Sequence, residues 1–332
     1  MLVAHPQGEL HARASEGIDL VALAPRNEID LAAAWKLSRV VRQYAPDVVH
    51  AHDPHAVAMA ATALSFGAVS PAPPLVASRR VDFHLSGNSF SRWKYRQVTR
   101  FIAASGAIRD ILVHDGIAAS QVSVVHDGID VARVQRLPAV DAHVEFWLPH
   151  GVPLIVNVGA LVGHKGQTHL LDAMPLVMRD VPDAHLVILG EGELRAPLER
   201  QVKELHLERA VRMPGFRDDV LSLMKSADLF VMSSVTEGLG SAVLDAMAMG
   251  LAVVGTRAGG IPEAVVHGET GLLVPPGEPK PLAAAIVRLL KDPLLRARYG
   301  HAGQARVAAH FGVDALVDGT LAVYRDVVRL GA

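Results

Sequence analysis

Residues 228–263 read DLFVMSSVTEGLGSAVLDAMAMGLAVVGTRAGGIPE, and this stretch decides the fold. The apolar run 229–232 predicts a buried strand, and a glycine-containing loop after it opens a helix. A second buried strand is predicted at 252–254, directly after that helix. Glu237 lies just before the helix, and Asp245 lies eight residues on, inside it. The free N–H groups of a helix start suit a phosphate, and the two carboxylates suit hydroxyl groups. The arrangement predicts a site for a nucleotide-sugar.

The composition is that of an α/β protein large enough for two domains. The chain has 332 residues, of which 50% are hydrophobic, and a net charge of −2. No run of like charge suggests a nucleic-acid partner. The absence of cysteine excludes disulfides and thiolate metal sites and favours a reducing compartment. No apolar run approaches the roughly 20 residues that span a bilayer, and no signal peptide is recognised. We therefore expect a cytoplasmic location.

Short apolar runs alternate with amphipathic stretches, which predicts repeated βα units and parallel sheets. Strands are predicted at 2–4, 19–23, 48–51, 75–77, 101–104, 122–125, 154–158, 185–189, 211–213, 229–232, 252–254 and 271–274. Helices are predicted at 31–44, 56–65, 92–99, 107–115, 167–180, from Pro281 onward and at 313–330. A stretch rich in glycine and proline at 127–152 predicts a linker. We therefore divide the chain into domains at 1–135 and 136–312, followed by a final helix at 313–332.

The start of the chain differs from that of an ordinary doubly wound domain. Such a domain begins with a central strand, a glycine-rich turn and a helix. Here residue 1 enters a strand almost at once, and nothing fills that role. One interpretation is that the fold simply starts this way. The other is that the N-terminal domain is missing its first βα unit, as a misplaced start would cause.

Residues 158–166, VGALVGHKG, follow a predicted strand and precede a predicted helix. Gly159 and its neighbours let the backbone approach an anion, and Lys165 is placed to neutralise a phosphate. The loop is not a Walker A motif, because a histidine replaces its second glycine and a glycine follows the lysine. It is not the dinucleotide fingerprint either. A solvated lysine is the alternative, but the loop at 237–245 in the same sheet favours phosphate binding.

Polar residues also follow two predicted strands in the first half. Residues 50–55, HAHDPH, place the first two histidines on one face of a strand. Metal binding is one hypothesis, and a structural histidine is another. We favour contact of His52 with substrate, because ligands bind at the carboxyl ends of strands in open α/β sheets. After the next strand, Arg79, Arg80 and Lys94 are candidate acceptor-binding residues, with a solvated face as the alternative.

A loop in the second half is a candidate for recognising the base. Residues 215–220, GFRDDV, follow the predicted strand 211–213, and backbone groups around Phe216 could hydrogen-bond a nucleobase. The pair Asp218-Asp219 is not a DxD metal signature, and no such motif occurs near the proposed donor site. We therefore expect no metal.

These motifs together resemble those of the retaining glycosyltransferases of family 4. That family has the GT-B architecture, with two Rossmann-like βαβ domains facing each other across a cleft. Its E-x7-E motif, typically EGFGL-x-x-LEAMA-x-G-x-PVVAT, is similar to EGLGSAVLDAMAMGLAVVGT at 237–256. The segments at 259–286, 158–166, 124–130 (VVHDGID) and 47–55 (DVVHAHDPH) also match. The resemblance covers nearly the whole chain, is specific in the second half and is looser at 1–120.

The resemblance implies an enzyme that moves a sugar from a nucleotide-sugar donor to an acceptor hydroxyl with retention. The donor would bind mainly to the C-terminal domain, and the acceptor mainly to the N-terminal one. The final helix would cross back to the N-terminal domain. No metal or other cofactor is implied, since a lysine and a helix dipole would neutralise the diphosphate. The base stays open among UDP, GDP and ADP. A glycan, a glycolipid or a small molecule would be the acceptor, with a role in cell-envelope synthesis and peripheral contact at the inner membrane face.

The roles of individual residues are implied by the resemblance as well. Glu237 would contact the transferred sugar, and His52 would approach it from the other domain. Asp245 would hold the ribose hydroxyls. The diphosphate would be bound by Lys165 and by N–H groups of the turn formed by Gly238, Leu239 and Gly240.

This chain departs from the family pattern at three places. The arginine usual in the phosphate loop is Ala160 here, and the second glutamate of the motif is Asp245. The first βα unit is the third difference, and without it we expect unpaired strand edges in the N-terminal sheet. These departures motivate one alternative, a catalytically silent sugar-nucleotide-binding protein. A GT-B nucleotide-sugar 2-epimerase is another, which the Glu237/Asp245 pattern makes less favoured.

Overall fold

The computed structural model describes residues 1–14, 17–67 and 70–331. The strands in these ranges are β1 Leu2–Ala4, β2 Leu20–Ala22, β3 Val49–Ala51, β4 Leu75–Arg79, β5 Arg100–Ala103, β6 Val122–Val124, β7 Leu154–Val158, β8 His185–Leu189, β9 Val211–Gly215, β10 Leu229–Met232, β11 Ala252–Thr256 and β12 Gly271–Val274. The helices are α1 Glu9–Arg13, α2 Leu31–Tyr44, α3 Pro54–Ser65, α4 Ser89–Arg96, α5 Gly106–His114, α6 Val131–Arg136, α7 Ala142–Glu145, α8 Gln167–Asp180, α9 Arg195–Glu204, α10 Val220–Met224, α11 Ser241–Ala248, α12 Ile261–Ala264, α13 Pro279–Lys291, α14 Pro293–His310 and α15 Val313–Gly331.

The C-terminal domain is a six-stranded parallel sheet with helices on both faces. Its strand order is β12-β11-β10-β7-β8-β9. One face packs against α8, α9 and α13, and the other packs against α11 and the short helices α6 and α7. Because both faces are covered, the inner strands are largely apolar, and the apolar runs predict β7, β8, β10 and β12 with the observed bounds.

The sequence does not predict α14, although it is one of the longest helices in the described ranges. Many of its apolar residues are alanines, and Gly300 and Gly303 interrupt the apolar spacing. Both glycines are buried. A Cβ at Gly300 would lie 1.9 Å from the carbonyl oxygen of Gly250, so the glycine allows the helix to pack against the turn before β11. Contact with that turn, which periodicity does not report, therefore stabilises this helix.

The N-terminal domain contains two separate parallel sheets. Strands β1 and β2 form one sheet, and β3-β4-β5-β6 form the other. Val3 of β1 and Val49 of β3 pack against the same cluster of α2 and α3 side chains. The two strands are not paired with each other in the described ranges. Within the described ranges, β1 and β3 therefore each have one edge without a strand partner.

The domains are connected by two crossings. In the first crossing, the N–H of Ile129 donates to the carbonyl oxygen of Phe311 at 2.8 Å, next to the second crossing. The predicted linker is more ordered than expected, because Val134 of α6 and Phe146 after α7 are buried in the core of the C-terminal domain. The segment 131–136, which the predicted boundary mostly assigned to the first domain, thus packs with the second.

Helix α15 returns to the N-terminal domain. Its residues Val323 and Val327 pack on Val76 and Ile102 of the four-stranded sheet and on Val125, directly after β6. The helix therefore covers the face of that sheet opposite α3 and α5. None of the helices in the described ranges is long and apolar enough to cross a membrane.

Candidate active site

The loops after β7 and β10 meet where the strand order of the C-terminal sheet reverses. β7 pairs with β10 on one side and β8 on the other, and ligands bind at such points in open α/β sheets. The N–H of Val235 donates to the carbonyl oxygen of His164 at 2.7 Å. Gly166 has a φ of 65°, and a Cβ there would lie 2.2 Å from the carbonyl oxygen of Ser233. Only glycine permits this approach, so the two predicted phosphate loops form one site.

Glu237 and Lys165 form a close ion pair at this point. The Nζ of Lys165 donates to both carboxylate oxygens of Glu237, at 2.9 and 2.7 Å. The Oγ of Ser234 donates to the same carboxylate at 3.0 Å. The two side chains of the pair are only 20% and 10% exposed. The lysine predicted to bind phosphate and the glutamate predicted to bind the sugar therefore lie within one hydrogen bond of each other.

The turn after Glu237 brings main-chain groups to the same place. Gly240 precedes α11 with a φ of 87°, a conformation that favours glycine. Leu239 is buried in the core beneath the turn, so its side chain anchors the turn. A Cβ at Gly238 would lie 2.6 Å from the carbonyl oxygen of Arg80, so the glycine also lets the N-terminal domain approach. The start of α11 can thus offer N–H groups to an anion in the cleft.

Asp245 lies in the second turn of α11 and is half-buried. Burial raises its pKa to about 6, against an ordinary value of 3.8, while the positive charge of Arg133 on α6 acts in the opposite direction. Asp245 is therefore charged above pH 6 and can then accept hydrogen bonds from two hydroxyl groups.

The remaining predicted donor-site residues occupy less central positions. Gly159 follows β7, and a Cβ there would make only ordinary contacts with Lys165 and Gln167. Ala160 is exposed, and its carbonyl oxygen accepts a hydrogen bond from Gln167. Phe216 follows β9, at the edge of the sheet and two strands from β7, and is 70% exposed. An exposed aromatic ring at that edge is available for stacking on a base.

The N-terminal side of the cleft contains a cavity of about 320 Å³ between its sheet and α15. His50 and His52 line it with their rings 4.1 Å apart. The ring nitrogens of His50 lie 2.6 Å from the Tyr324 hydroxyl and 2.8 Å from the Ser78 hydroxyl. Burial lowers the pKa of His50 to about 3, so this histidine is neutral and structural. Burial, followed by the charge of Arg80, lowers the pKa of His52 as well.

The three candidate acceptor residues have different environments. Arg80 lines the cavity, and its Nε lies 3.0 Å from the Asp127 carboxylate. Arg79 is buried and donates to the carbonyl oxygen of Phe83. The Lys94 ammonium is buried too and donates to Glu28 at 2.8 Å and to the carbonyl oxygen of Pro54 at 3.1 Å.

Only one of these candidates is therefore placed to meet an acceptor. Arg79 and Lys94 hold loops together within the N-terminal domain, contrary to the expectation. The sequence pattern did not show this, because Lys94 lies on the buried face of a helix between Phe90 and Tyr95, whose rings it approaches.

Two polar residues near the site were missed by the sequence analysis. Ser234 bonds Glu237, and the Oγ of Thr256 donates to the carbonyl oxygen of Ser234 at 2.6 Å. Small polar residues at the ends of neighbouring apolar runs were the available signal for both. In the described part of the chain, no group of three or more histidine, aspartate or glutamate side chains is arranged to hold a metal ion.

Comparison with known proteins agrees with this geometry. Residues 142–306 match the family model described as glycosyl transferases group 1, and residues 2–133 match that of glycosyltransferase family 4. The glycogen synthase of Mycobacterium tuberculosis is 30% identical over 298 residues, which are 85% of this chain and 69% of the relative. The N-acetyl-alpha-D-glucosaminyl L-malate synthase of Bacillus anthracis is 26% identical over 308 residues, with coverage of 90% and 80%.

A solved structure shares the fold over both domains. The structure of Anabaena HepE in complex with UDP matches with a TM-score of 0.81 and 24% identity, covering 95% of this chain and 88% of that one. This likeness confirms the GT-B arrangement of two α/β domains. With the family models and the relatives, it leads to one conclusion: the chain belongs to glycosyltransferase family 4 and is a glycosyltransferase.

Proposed function

We propose that this glycosyltransferase moves a hexosyl group from a nucleoside diphosphate sugar to an acceptor hydroxyl, with retention of configuration. The pairing of Lys165 with Glu237 beside the start of α11 carries the proposal. A cation and a helix start at one point suit the two charges of a diphosphate leaving group. The UDP bound to HepE supports the same class of donor.

In the proposed reaction the diphosphate competes with Glu237 for the ammonium of Lys165. The freed carboxylate accepts hydrogen bonds from sugar hydroxyls, and Asp245 accepts them from the ribose. The bond from the anomeric carbon to the phosphate oxygen breaks while the acceptor oxygen approaches on the same face. The acceptor proton passes to the departing phosphate. The protein contributes positioning and neutralisation of charge, and neither role needs a metal.

His52 and Arg80 form the opposite wall of the proposed site. His52 is neutral near pH 7, since its pKa is lowered, so its ring can donate or accept a hydrogen bond with a sugar hydroxyl. Arg80 lies between the cavity and Gly238, because its side chain lines the cavity and its carbonyl oxygen approaches that glycine. We assign the cavity to the acceptor.

The acceptor class is proposed from the relatives and from one surface. The relatives are named for a polysaccharide and for a small hydroxy acid, which supports a glycan, glycolipid or small-molecule acceptor. Helix α2 exposes Trp35, Lys36 and Arg39, and such a face suits the surface of an anionic membrane. We therefore include a cell-envelope glycolipid among the acceptors, reached by peripheral contact with the inner membrane face.

Release of nucleoside diphosphate from a panel of UDP-, GDP- and ADP-hexoses tests the proposal. We expect the wild-type chain to release one of the three and chelation of divalent metals to leave the rate unchanged. Glu237→Ala should lower kcat by about a hundredfold or more, because it removes the carboxylate that faces the sugar. Glu193→Ala, at an exposed glutamate of the same domain, is the matched control. A folded protein that binds these donors without releasing nucleotide would overturn the proposal.

A further inference from the structure

Glu263 joins the two domains at a point that the proposed chemistry does not use. This residue belongs to α12 in the C-terminal domain. Its Oε2 accepts hydrogen bonds from the N–H of Gly106 and from the Nε2 of His126, both at 2.9 Å. Its Oε1 accepts one from the N–H of Ala107 at 3.1 Å. A single carboxylate thus takes three donors from the other domain and from the crossing that leads out of it.

The electrostatics of this contact favour an ionised carboxylate. Gly106 and Ala107 begin α5, a helix of nine residues whose N-terminus attracts negative charge. Burial alone would raise the pKa of Glu263. The hydrogen bonds from His126, Gly106 and Ala107 outweigh burial and hold the pKa below its ordinary value of 4.5. The carboxylate is therefore charged at neutral pH, where it stabilises the start of α5.

The same start of α5 packs against the loop that contains Glu237. The Oγ of Ser105 is fully buried, accepts the N–H of Ile108 and donates to the carbonyl oxygen of Gly238 at 2.7 Å. A Cβ at Gly260 would lie 2.2 Å from that oxygen and 2.8 Å from the Cβ of Ser105. Three segments from two domains therefore meet here with no room for a larger residue.

Glu263 is also held firmly from its own side. The guanidinium of Arg306 on α14 donates to the carbonyl oxygen of Glu263 at 2.8 Å and to that of Ala264 at 2.9 Å. His126 packs edge-on against Phe311 at the second crossing, with ring centroids 5.1 Å apart. The carboxylate thus connects a fixed element of the C-terminal domain to the hinge itself.

We infer that Glu263 is a positioning residue that fixes the angle between the domains and so holds the loop 237–240 against the N-terminal wall of the cleft. It acts through α5 and Ser105, not through contact with a substrate. Contacts between domains of one chain are usually too limited to prevent relative motion. A charged carboxylate shared by three donors supplies the missing constraint. Its effect on catalysis rests on the proposed function, whereas its effect on domain angle does not.

Distance measurements between spin labels test the domain angle directly. The chain contains no cysteine, so cysteines introduced at the exposed Asp110 and Lys280, one in each domain, are the only labelling sites. Glu263→Gln keeps the length of the side chain and removes its charge. We expect double electron–electron resonance to show a distance distribution about twice as broad or shifted to a second maximum. Glu269→Gln, at an exposed glutamate nearby, should leave the distribution unchanged.

Kinetics supply the second readout. Because the donor binds mainly to one domain, Glu263→Gln should change its KM by less than about threefold while kcat falls about tenfold. An unchanged distance distribution in a folded Glu263→Gln protein would overturn the inference. If that variant does not fold, His126→Ala removes one of the three donors and should broaden the distribution less. A wild-type chain that releases no nucleotide would contradict the proposed function. The distance measurement would still test the role of Glu263.

Discussion

The two acids of the donor motif, Glu237 and Asp245, lie in opposite electrostatic environments. The side chain of Glu237 has a cationic partner, because the ammonium of Lys165 lies 2.7 Å from its carboxylate. Asp245 is half-buried, and because burial outweighs the charge of Arg133, its pKa rises to about 6. The sequence motif does not distinguish these environments, since it fixes only that both residues are acidic and eight positions apart.

Asp245→Asn should stabilise the protein above neutral pH. Between pH 3.8 and about 6 the folded chain keeps a proton on Asp245 that the unfolded chain releases, so its contribution to the free energy of unfolding falls as pH rises through this window. The shift of about two units corresponds to about 3 kcal/mol of destabilisation at pH 8. We expect urea unfolding to show the variant more stable than the wild type at pH 8 and nearly equal at pH 4. A difference that is the same at both pH values would contradict the pKa shift.

Among the elements, helix α2 shows what the apolar spacing of a sequence predicts and what it leaves open. Its bounds, Leu31–Tyr44, follow from the apolar spacing, because Leu37 and Val41 face the core. The opposite face carries Trp35, which is 53% exposed, and the guanidinium of Arg39 lies 5.1 Å from its ring centre. An exposed tryptophan beside cations does not contribute to the core of this structure. This position motivates the proposed membrane contact.

Trp35→Ala should weaken binding to vesicles that contain phosphatidylglycerol by about tenfold, since the ring would be lost from the membrane interface. Binding of the wild type should also fall at high salt, because Lys36 and Arg39 act through charge. Co-sedimentation measures both effects. Trp147→Ala, at a tryptophan that is 89% exposed, is the matched control. Equal loss in the two variants, or equal binding of the wild type to uncharged vesicles, would contradict the assignment of this surface.

At the scale of the whole molecule, α15 makes the N-terminal sheet dependent on the C-terminal end of the described chain. It covers Val76, Ile102 and Val125, and its Tyr324 hydroxyl lies 2.6 Å from a ring nitrogen of the half-buried His50. His50, which the metal hypothesis included, is thereby a structural histidine, as the alternative interpretation expected. His52, two positions on, also lines the cavity. No hydrogen bond from His52 to α15 is among the described contacts.

Tyr324→Phe should lower the free energy of unfolding by about 1 kcal/mol, because it leaves a half-buried nitrogen of His50 without that hydrogen bond. Urea unfolding at pH 8, where both the folded and unfolded forms of His50 are neutral, measures the loss. Tyr44→Phe, at a partly exposed tyrosine, should leave stability unchanged. A loss equal to that of the control would show that the hydrogen bond contributes nothing to the docking of α15.

Some features of this protein follow from its local sequence pattern, and others follow only from tertiary contacts. The sequence by itself determined the alternating βα elements and the loops at 163–166 and 237–240, because apolar periodicity and glycine placement are local properties. Only the tertiary structure decided that Lys165 bonds Glu237, that Lys94 is buried against Glu28 and that Glu263 reaches the start of α5. Each of those contacts joins residues at least 66 positions apart. Their meeting depends on strand order and domain angle, which no local pattern contains.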